Sequence, residues 1–217
     1  MIILRQRDAA GAGGPITEIT LDHRFLMSSL NTVSERALSS LAIQWHGGEN
    51  LRVLVGGLGL GYTAHEALAS DRVGRVEVVE LLEPVISWTR DGLVPLSHEL
   101  LSELAPGGRL QIRQGDVYLE LREPPRTKYD LILIDVDNSP EEALGAPNDA
   151  FHSAAGAALA HEHLAEGGVL GVWSTEPGDA FVEALRSVFA EVQSRALDFF
   201  NPVTNEPETN WVFLARG

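Results

Sequence analysis

The feature that most constrains the fold is a regular alternation of apolar, strand-like segments with amphipathic helical ones, which begins at residue 51. Several strand-like segments are apolar on both faces, as is typical of parallel strands covered by helices on each side of the sheet. The pattern therefore predicts a doubly wound α/β domain. The predicted strands are residues 51–57, 75–82, 109–115, 129–136, 167–174, 191–200 and 210–216.

The predicted helices lie between these strands, where apolar residues recur every three to four positions. They cover residues 62–69, 83–90, 96–104, 117–121, 150–164 and 179–189. A further helix precedes the first strand, with Asn31 or Thr32 as its N-cap. Its predicted apolar face consists of Val33, Ala37, Leu38, Leu41, Ala42 and Trp45. Because residues 201–209 separate the last two strands, we expect a long hairpin that adds an antiparallel strand at the sheet edge.

The first 30 residues differ from the rest of the chain. Two short strand-like pieces, residues 2–5 and 16–21, flank a Gly-rich turn with the sequence GAGGP. This arrangement is typical of a β-hairpin. We therefore predict an N-terminal β-hairpin extension over residues 1–30 and a Rossmann-like domain over residues 31–217.

Charge and composition exclude several classes of function. Acidic residues outnumber basic ones 31 to 16, for a net charge of -15, which opposes nucleic acid or an anionic membrane surface. The excess of acid suits a cationic small molecule, but it is also typical of a surface that simply keeps a protein soluble. The chain has no cysteine, so it has no thiolate nucleophile and no thiolate metal site, and the scattered histidines indicate no metal site either. Apolar runs are too short for a membrane helix or a secretory signal, which predicts a cytoplasmic protein.

A Gly-rich turn joins the first strand of the domain to its helix. Glycines stand at positions 56, 57, 59 and 61, so the backbone can approach a nucleotide-like ligand closely at a helix N-terminus. Tight turns also use glycine for purely conformational reasons. Glu80 ends the second strand, where an acid can accept hydrogen bonds from both hydroxyls of a ribose. Gly59, Gly61 and Ala64 also satisfy the dinucleotide fingerprint, so NAD remains an alternative at this point.

Acidic residues also follow the third and fourth strands. Asp116, with the apolar Val117 after it, can bind an adenine amino group and cover the ring; alternatively Asp116 caps the helix that begins at Val117. Asp135 and Asp137 come at the end of the fourth strand, where ligands of open α/β sheets bind. A carboxylate in this position can also be a turn former.

Four segments in this order resemble successive motifs of the spermidine synthase family, a branch of the class I S-adenosylmethionine-dependent transferases. They are VLVGGLGLGYTAHEAL, VEVVELLEPVI, QGDVYLEL and YDLILIDVDNSP, and the resemblance covers roughly residues 20–175. It implies that residues 31–217 form a seven-stranded methyltransferase sheet that binds S-adenosylmethionine or its decarboxylated form. It also implies a homodimer, for which the N-terminal hairpin offers exposed strands.

Carried over position by position, the resemblance implies a role for each motif. The Gly-rich turn would contact the methionine-derived chain, Glu80 the ribose and Asp116 the adenine. Asp135 would orient and deprotonate an attacking amine, with Asp137 as a second catalytic candidate. The implied cofactor-binding residues are Gly57, Leu58, Gly59, Gly61, Glu80, Leu81, Asp116, Val117 and Asp135.

Two departures from the family bear on the reaction. The family's turn carries an Asp that binds the terminal amine of decarboxylated S-adenosylmethionine, whereas this turn has Leu58 and Leu60 between its glycines, and the family's Tyr-His-Glu run is absent at residues 33–35. A neutral turn with free N–H groups would instead accept the carboxylate of S-adenosylmethionine. The sequence therefore predicts methyl transfer to a small acceptor, in particular a cationic one such as an amine. Aminopropyl transfer and a catalytically silent nucleoside-binding interaction module are the alternatives, and an NAD-dependent dehydrogenase ranks last.

Overall fold

The N-terminal segment forms its own small sheet in the computed structural model, which describes residues 1–8, 14–136 and 150–217. Its antiparallel strands are β1 (Ile2–Asp8), β2 (Pro15–Leu21) and β3 (Arg24–Ser28), in the order β1-β2-β3. The predicted hairpin therefore has a third strand. Asp22 and His23 both adopt positive φ, 48° and 67°, which allows the tight turn between β2 and β3.

In the part of the chain that the structure describes, seven strands form the central sheet, as predicted. They are β4 (Leu51–Gly56), β5 (Val73–Glu80), β6 (Leu110–Gln114), β7 (Tyr129–Ile134), β8 (Leu164–Ser174), β9 (Glu191–Asn201) and β10 (Glu206–Arg216). Their spatial order is β6-β5-β4-β7-β8-β10-β9. Strands β4 to β8 are parallel, and β10 runs antiparallel to both β8 and β9. The expected C-terminal hairpin is confirmed. Its loop is shorter than predicted, because residues 201 and 206–209 belong to the two strands.

Helices cover both faces of the sheet because successive strand residues point to opposite sides. On β4, Val53 and Val55 belong to one core and Leu54 to the other. The first core contains residues of α1 to α4, and the second contains residues of α5 to α7. The helices are α1 (Val33–His46), α2 (Tyr62–Ala69), α3 (Glu83–Arg90), α4 (Ser97–Leu104), α5 (Val117–Glu120), α6 (Ala154–Glu162) and α7 (Asp179–Arg186).

Three helices differ from their predicted form. Helix α7 ends at Arg186, three residues before its predicted end. Helix α6 is shorter than residues 150–164, because Ser153 caps it through a hydrogen bond from the Gly156 N–H and β8 already begins at Leu164. Helix α1 is rotated relative to its predicted face: Val33 is 52% exposed, while Glu35 is buried. Within the described residues, no helix has the length and apolar character to cross a membrane.

Candidate active site

The carboxyl ends of four parallel strands meet at one edge of the central sheet. The register pairs Gly56 of β4 with Val79 of β5 on one side and Ile134 of β7 on the other, and Glu80 with Gln114 of β6. The turn after β4, the end of β5 and the residues after β6 and β7 are therefore neighbours. This is the edge at which open α/β sheets bind ligands.

The Gly-rich turn after β4 requires glycine at particular positions. Gly57, Gly59 and Gly61 have φ of 89°, 50° and 89°, in the left-handed region. A Cβ on Gly57 would lie 2.3 Å from the carbonyl oxygen of Asp135, so the turn passes against the backbone that follows β7. The close approach of these two segments holds Asp135 beside the turn.

We expect Gly57→Ala to destabilise the fold more than Gly92→Ala does. Gly92 has a comparable φ of 76° but open space around its missing Cβ, so Gly92→Ala should cost only the left-handed strain, about 1–2 kcal/mol. Gly57→Ala adds the contact with the Asp135 carbonyl and should cost about 1–3 kcal/mol more. Urea unfolding of both variants measures the difference; equal free energies of unfolding would contradict the close approach.

Glu80 lies at the end of β5 and is 7% exposed. Its Oε2 accepts a hydrogen bond from the Leu58 N–H at 2.7 Å, and its Oε1 accepts one from the Leu82 N–H at 2.8 Å. Burial raises the pKa of the Glu80 carboxyl, and these N–H donors oppose that shift. Glu80 thus connects the Gly-rich turn to the end of β5.

Asp116 follows β6 and caps α5. Its Oδ1 accepts hydrogen bonds from the N–H groups of Tyr118 and Leu119, at 2.9 and 3.2 Å. The structure therefore confirms that Asp116 caps this helix, as the sequence analysis considered. Val117 is buried against Gly56, where an added Cβ would lie 2.8 Å from its Cγ1. Both residues also border the cavity described below, so a cap and a ligand contact are compatible here.

Asp135 follows β7 and borders the same cavity as a second carboxylate, Glu35 of α1. The Thr63 hydroxyl donates a hydrogen bond to Asp135 Oδ2 at 2.5 Å, and the Ser34 hydroxyl donates one to Glu35 Oε2 at 2.9 Å. Burial, then the charge of Asp135, raises the pKa of Glu35 to about 7. Burial likewise raises the pKa of Asp135 to about 6, against the opposing effect of Thr63. Two acidic groups with raised pKa values in one place are typical of functional sites.

Glu35 is a candidate that the sequence analysis missed. The residue lies three and seven positions before Leu38 and Ala42, which are both fully buried, and it therefore shares their face of α1. This spacing could have predicted from the sequence that Glu35 is buried. A charged residue on the buried face of a helix needs a reason, and here the reason is the cavity that Glu35 faces.

These residues border a cavity of about 650 Å³ at the sheet edge. The N-terminal sheet contributes one wall, including Phe25 and Met27, and the β9–β10 hairpin contributes another, including Phe199 and Asn201. Trp173, at the end of β8, also borders it. None of its described lining residues is Lys, Arg or His. Five of the described lining residues are carboxylates: Glu35, Glu80, Asp116, Asp135 and Glu208.

Solved structures with the same architecture include spermidine synthases. That of Thermotoga maritima matches with a TM-score of 0.69 and 18% identity, over 98% of this chain and 68% of that one. A spermidine synthase in complex with the transition-state analogue AdoDATO gives 0.70 and 19%, over 98% and 69%. A probable spermidine synthase from Corynebacterium glutamicum ATCC 13032 gives 0.67 and 18%, over 99% and 77%. No protein-family model matches the sequence.

The likeness extends over nearly the whole chain and includes the small N-terminal sheet. This chain has the spermidine synthase fold. The fold resemblance inferred from the four motifs is thereby confirmed, together with the Rossmann-like, seven-stranded sheet.

Within this spermidine synthase fold, the structure brings most of the predicted site residues to one cavity. Those that border it are Gly57, Gly59, Glu80, Leu81, Asp116, Val117 and Asp135. Leu58 and Gly61 do not: Leu58 is packed in the core, and Gly61 is the N-cap of α2, close to Leu100. Asp137, the second catalytic candidate, lies outside the described residues.

Proposed function

We propose that this chain transfers an aminopropyl group from decarboxylated S-adenosylmethionine to an amine. The observation that carries the proposal is the charge of the cavity, which has five carboxylates and no basic side chain among its described lining residues. The undescribed segments, residues 9–13 and 137–149, contain no Lys, Arg or His. A donor that bears a sulfonium and an ammonium group suits such a site better than one that also bears a carboxylate.

The hydrogen bonds of the Gly-rich turn support the same donor. From the sequence we expected free N–H groups there to accept the carboxylate of S-adenosylmethionine, but four of them already have acceptors within the chain. The bonds are Gly57 N–H to Val79 O (2.9 Å), Leu58 N–H to Glu80 Oε2 (2.7 Å), Leu60 N–H to Met27 Sδ (3.1 Å) and Gly61 N–H to Leu58 O (2.8 Å). A donor carboxylate would have to break one of these bonds or stay unpaired among acidic groups.

The known neighbours agree with this choice. Proteins of the same fold are named spermidine synthases, and one of them is bound to the transition-state analogue AdoDATO. On this proposal Glu80, with Leu81, would hold the ribose, and Asp116, with Val117, would hold the adenine. The donor supplies an electrophilic carbon next to its sulfonium sulfur. Asp135 would orient the acceptor nitrogen and take its proton, with Asp137 as the other candidate.

The chain should bind decarboxylated S-adenosylmethionine at least about tenfold more tightly than S-adenosylmethionine, because only the latter brings a carboxylate into an acidic cavity. Calorimetric titration of both compounds measures the ratio. 5′-Methylthioadenosine, which carries neither charged end, serves as the control ligand for the nucleoside part. The matching activity assay follows aminopropyl transfer to 1,4-diaminobutane.

Methyl transfer is the second candidate, and the side chains of the turn favour it. Leu58 and Leu60 are 5% and 0% exposed, so the turn offers no carboxylate to the terminal amine of a decarboxylated donor. Tighter binding of S-adenosylmethionine, with methyl transfer to an amine, would replace our proposal with this one. Binding of both donors without any transfer would favour a silent nucleoside-binding module.

A further inference from the structure

Glu35 and Asp135 come from elements 100 residues apart and face the same cavity. Glu35 is 8% exposed. Asp135 is densely surrounded but keeps some accessible surface toward the cavity. A chain of donors holds Glu35 in place, because the Asn210 side-chain amide donates to the Ser34 hydroxyl at 2.8 Å and that hydroxyl donates to Glu35. The Thr63 hydroxyl of α2 links the two residues, because its oxygen lies 3.3 Å from the Glu35 carbonyl oxygen and 2.5 Å from Asp135 Oδ2.

Among the described residues, no basic side chain forms an ion pair with either carboxylate. Arg36 is next to Glu35 in the chain, but its guanidinium pairs with Glu66 Oε2 at 3.2 Å and lies over the Tyr62 ring at 5.0 Å. Within the described part of the chain, the charged groups that shift the pKa of Glu35 are Asp135, which follows β7, and Arg36 on α1. Tyr62 on α2 is a further titratable neighbour, whose own pKa Glu35 raises. Arg36 only partly offsets the repulsion between the two carboxylates.

Two carboxylates in a poorly solvated site resist ionising together, so the pair keeps one proton until a cation arrives. We propose that Glu35 is a positioning residue that acts through Asp135: the two groups share one proton in the ligand-free cavity and release it when an acceptor ammonium binds beside them. This inference rests on the proposed function, since it names what the amine displaces on entering the site.

Protons are conserved over one complete turnover. Entry of the acceptor as R–NH3⁺ expels the shared proton to solvent. The acceptor nitrogen then gives one proton to Asp135 and forms a bond to the donor carbon next to sulfur. The carbon–sulfur bond breaks, with its electron pair going to sulfur, and the thioether is the leaving group. The secondary ammonium product departs as a cation, and the proton on Asp135 restores the shared state.

The first test needs no ligand. Carboxyl ¹³C NMR of the wild type should show Asp135 titrating well above an ordinary aspartate, and Glu35→Gln should move that titration down by about one pH unit, because an amide removes the neighbouring negative charge. Glu35→Asp keeps the charge and should restore a raised value. Glu99→Gln, on the exposed side of α4 away from the cavity, is the matched control. An unchanged Asp135 titration in Glu35→Gln would overturn the shared proton, whatever reaction the chain performs.

The second test counts protons. Calorimetry with 1,4-diaminobutane at about pH 6, in two buffers of different ionisation enthalpy, should show release of close to one proton by the wild type and clearly less by Glu35→Gln. The acidic limb of kcat/KM should move to lower pH in the same variant and stay at the wild-type position in the Glu99→Gln control. Equal proton release by both proteins would overturn the exchange. A wild type with the expected titration that transfers nothing would instead overturn the proposed function and leave the pair in place.

Discussion

Asp135→Asn is expected to lower turnover by about 10²–10⁴-fold with little change in donor affinity, because the amide keeps the size of the side chain but cannot accept a proton. The structure makes this substitution conservative: the amide oxygen can still accept the Thr63 hydroxyl hydrogen bond that Asp135 Oδ2 now accepts. The measurement is steady-state transfer of an aminopropyl group to 1,4-diaminobutane, alongside calorimetric titration of the donor.

Asp130→Asn is the matched control for this variant. Asp130 lies on the same strand, β7, at the opposite edge of the sheet, where its carboxylate accepts the Arg52 N–H at 2.7 Å. It should keep full turnover. A purely structural role for Asp135 would show itself as a lower melting temperature, with donor binding and turnover declining together. Full activity of Asp135→Asn would move the proton acceptor elsewhere, with Asp137 the next residue to test.

Glu80→Ala should weaken donor binding by about a hundredfold. Two ribose hydroxyl bonds to a charged acceptor are worth about 1.5 kcal/mol each at the low end, and both are lost. The same change removes the acceptor for the Leu58 and Leu82 N–H groups, so the Gly-rich turn also loses its tie to β5. Donor affinity and the free energy of unfolding are therefore both expected to fall.

Adenosine binding separates these two effects from the rest of the donor. Glu80→Ala should lose affinity for adenosine and for the full donor by the same factor, because the lost contacts are to the ribose. Glu77→Gln, on the same strand but outside the cavity, should leave both affinities unchanged. Unaltered affinity in a folded Glu80→Ala protein would show that the nucleoside lies elsewhere.

Much of the architecture was predictable because its signals are local. The all-apolar strands, the Gly-rich turn and the acids after β5, β6 and β7 are each set by a few adjacent residues, and parallel strands bring their carboxyl ends to one edge. Glu80, Asp116 and Asp135 consequently reached one cavity as expected. The local signals mispredicted the length of α6, whose end depends on where β8 begins. They also mispredicted the buried face of α1, which depends on the segments that pack against that helix.

The sequence by itself thus determined the order of strands and helices from residue 31 onward and three of the acids that the sheet edge collects, Glu80, Asp116 and Asp135. Only the tertiary structure decided which groups are free to act. It brought Glu35 and Asp135 to one cavity, paired N–H groups of the turn with Glu80 and Met27, and formed one wall of the cavity from the β9–β10 hairpin. The physical reason is the sequence distance over which the interactions act. Strand and turn patterns depend on residues that are neighbours along the chain. The charge state and the hydrogen bonds of a site depend on distant segments that meet only after the strands have packed in register.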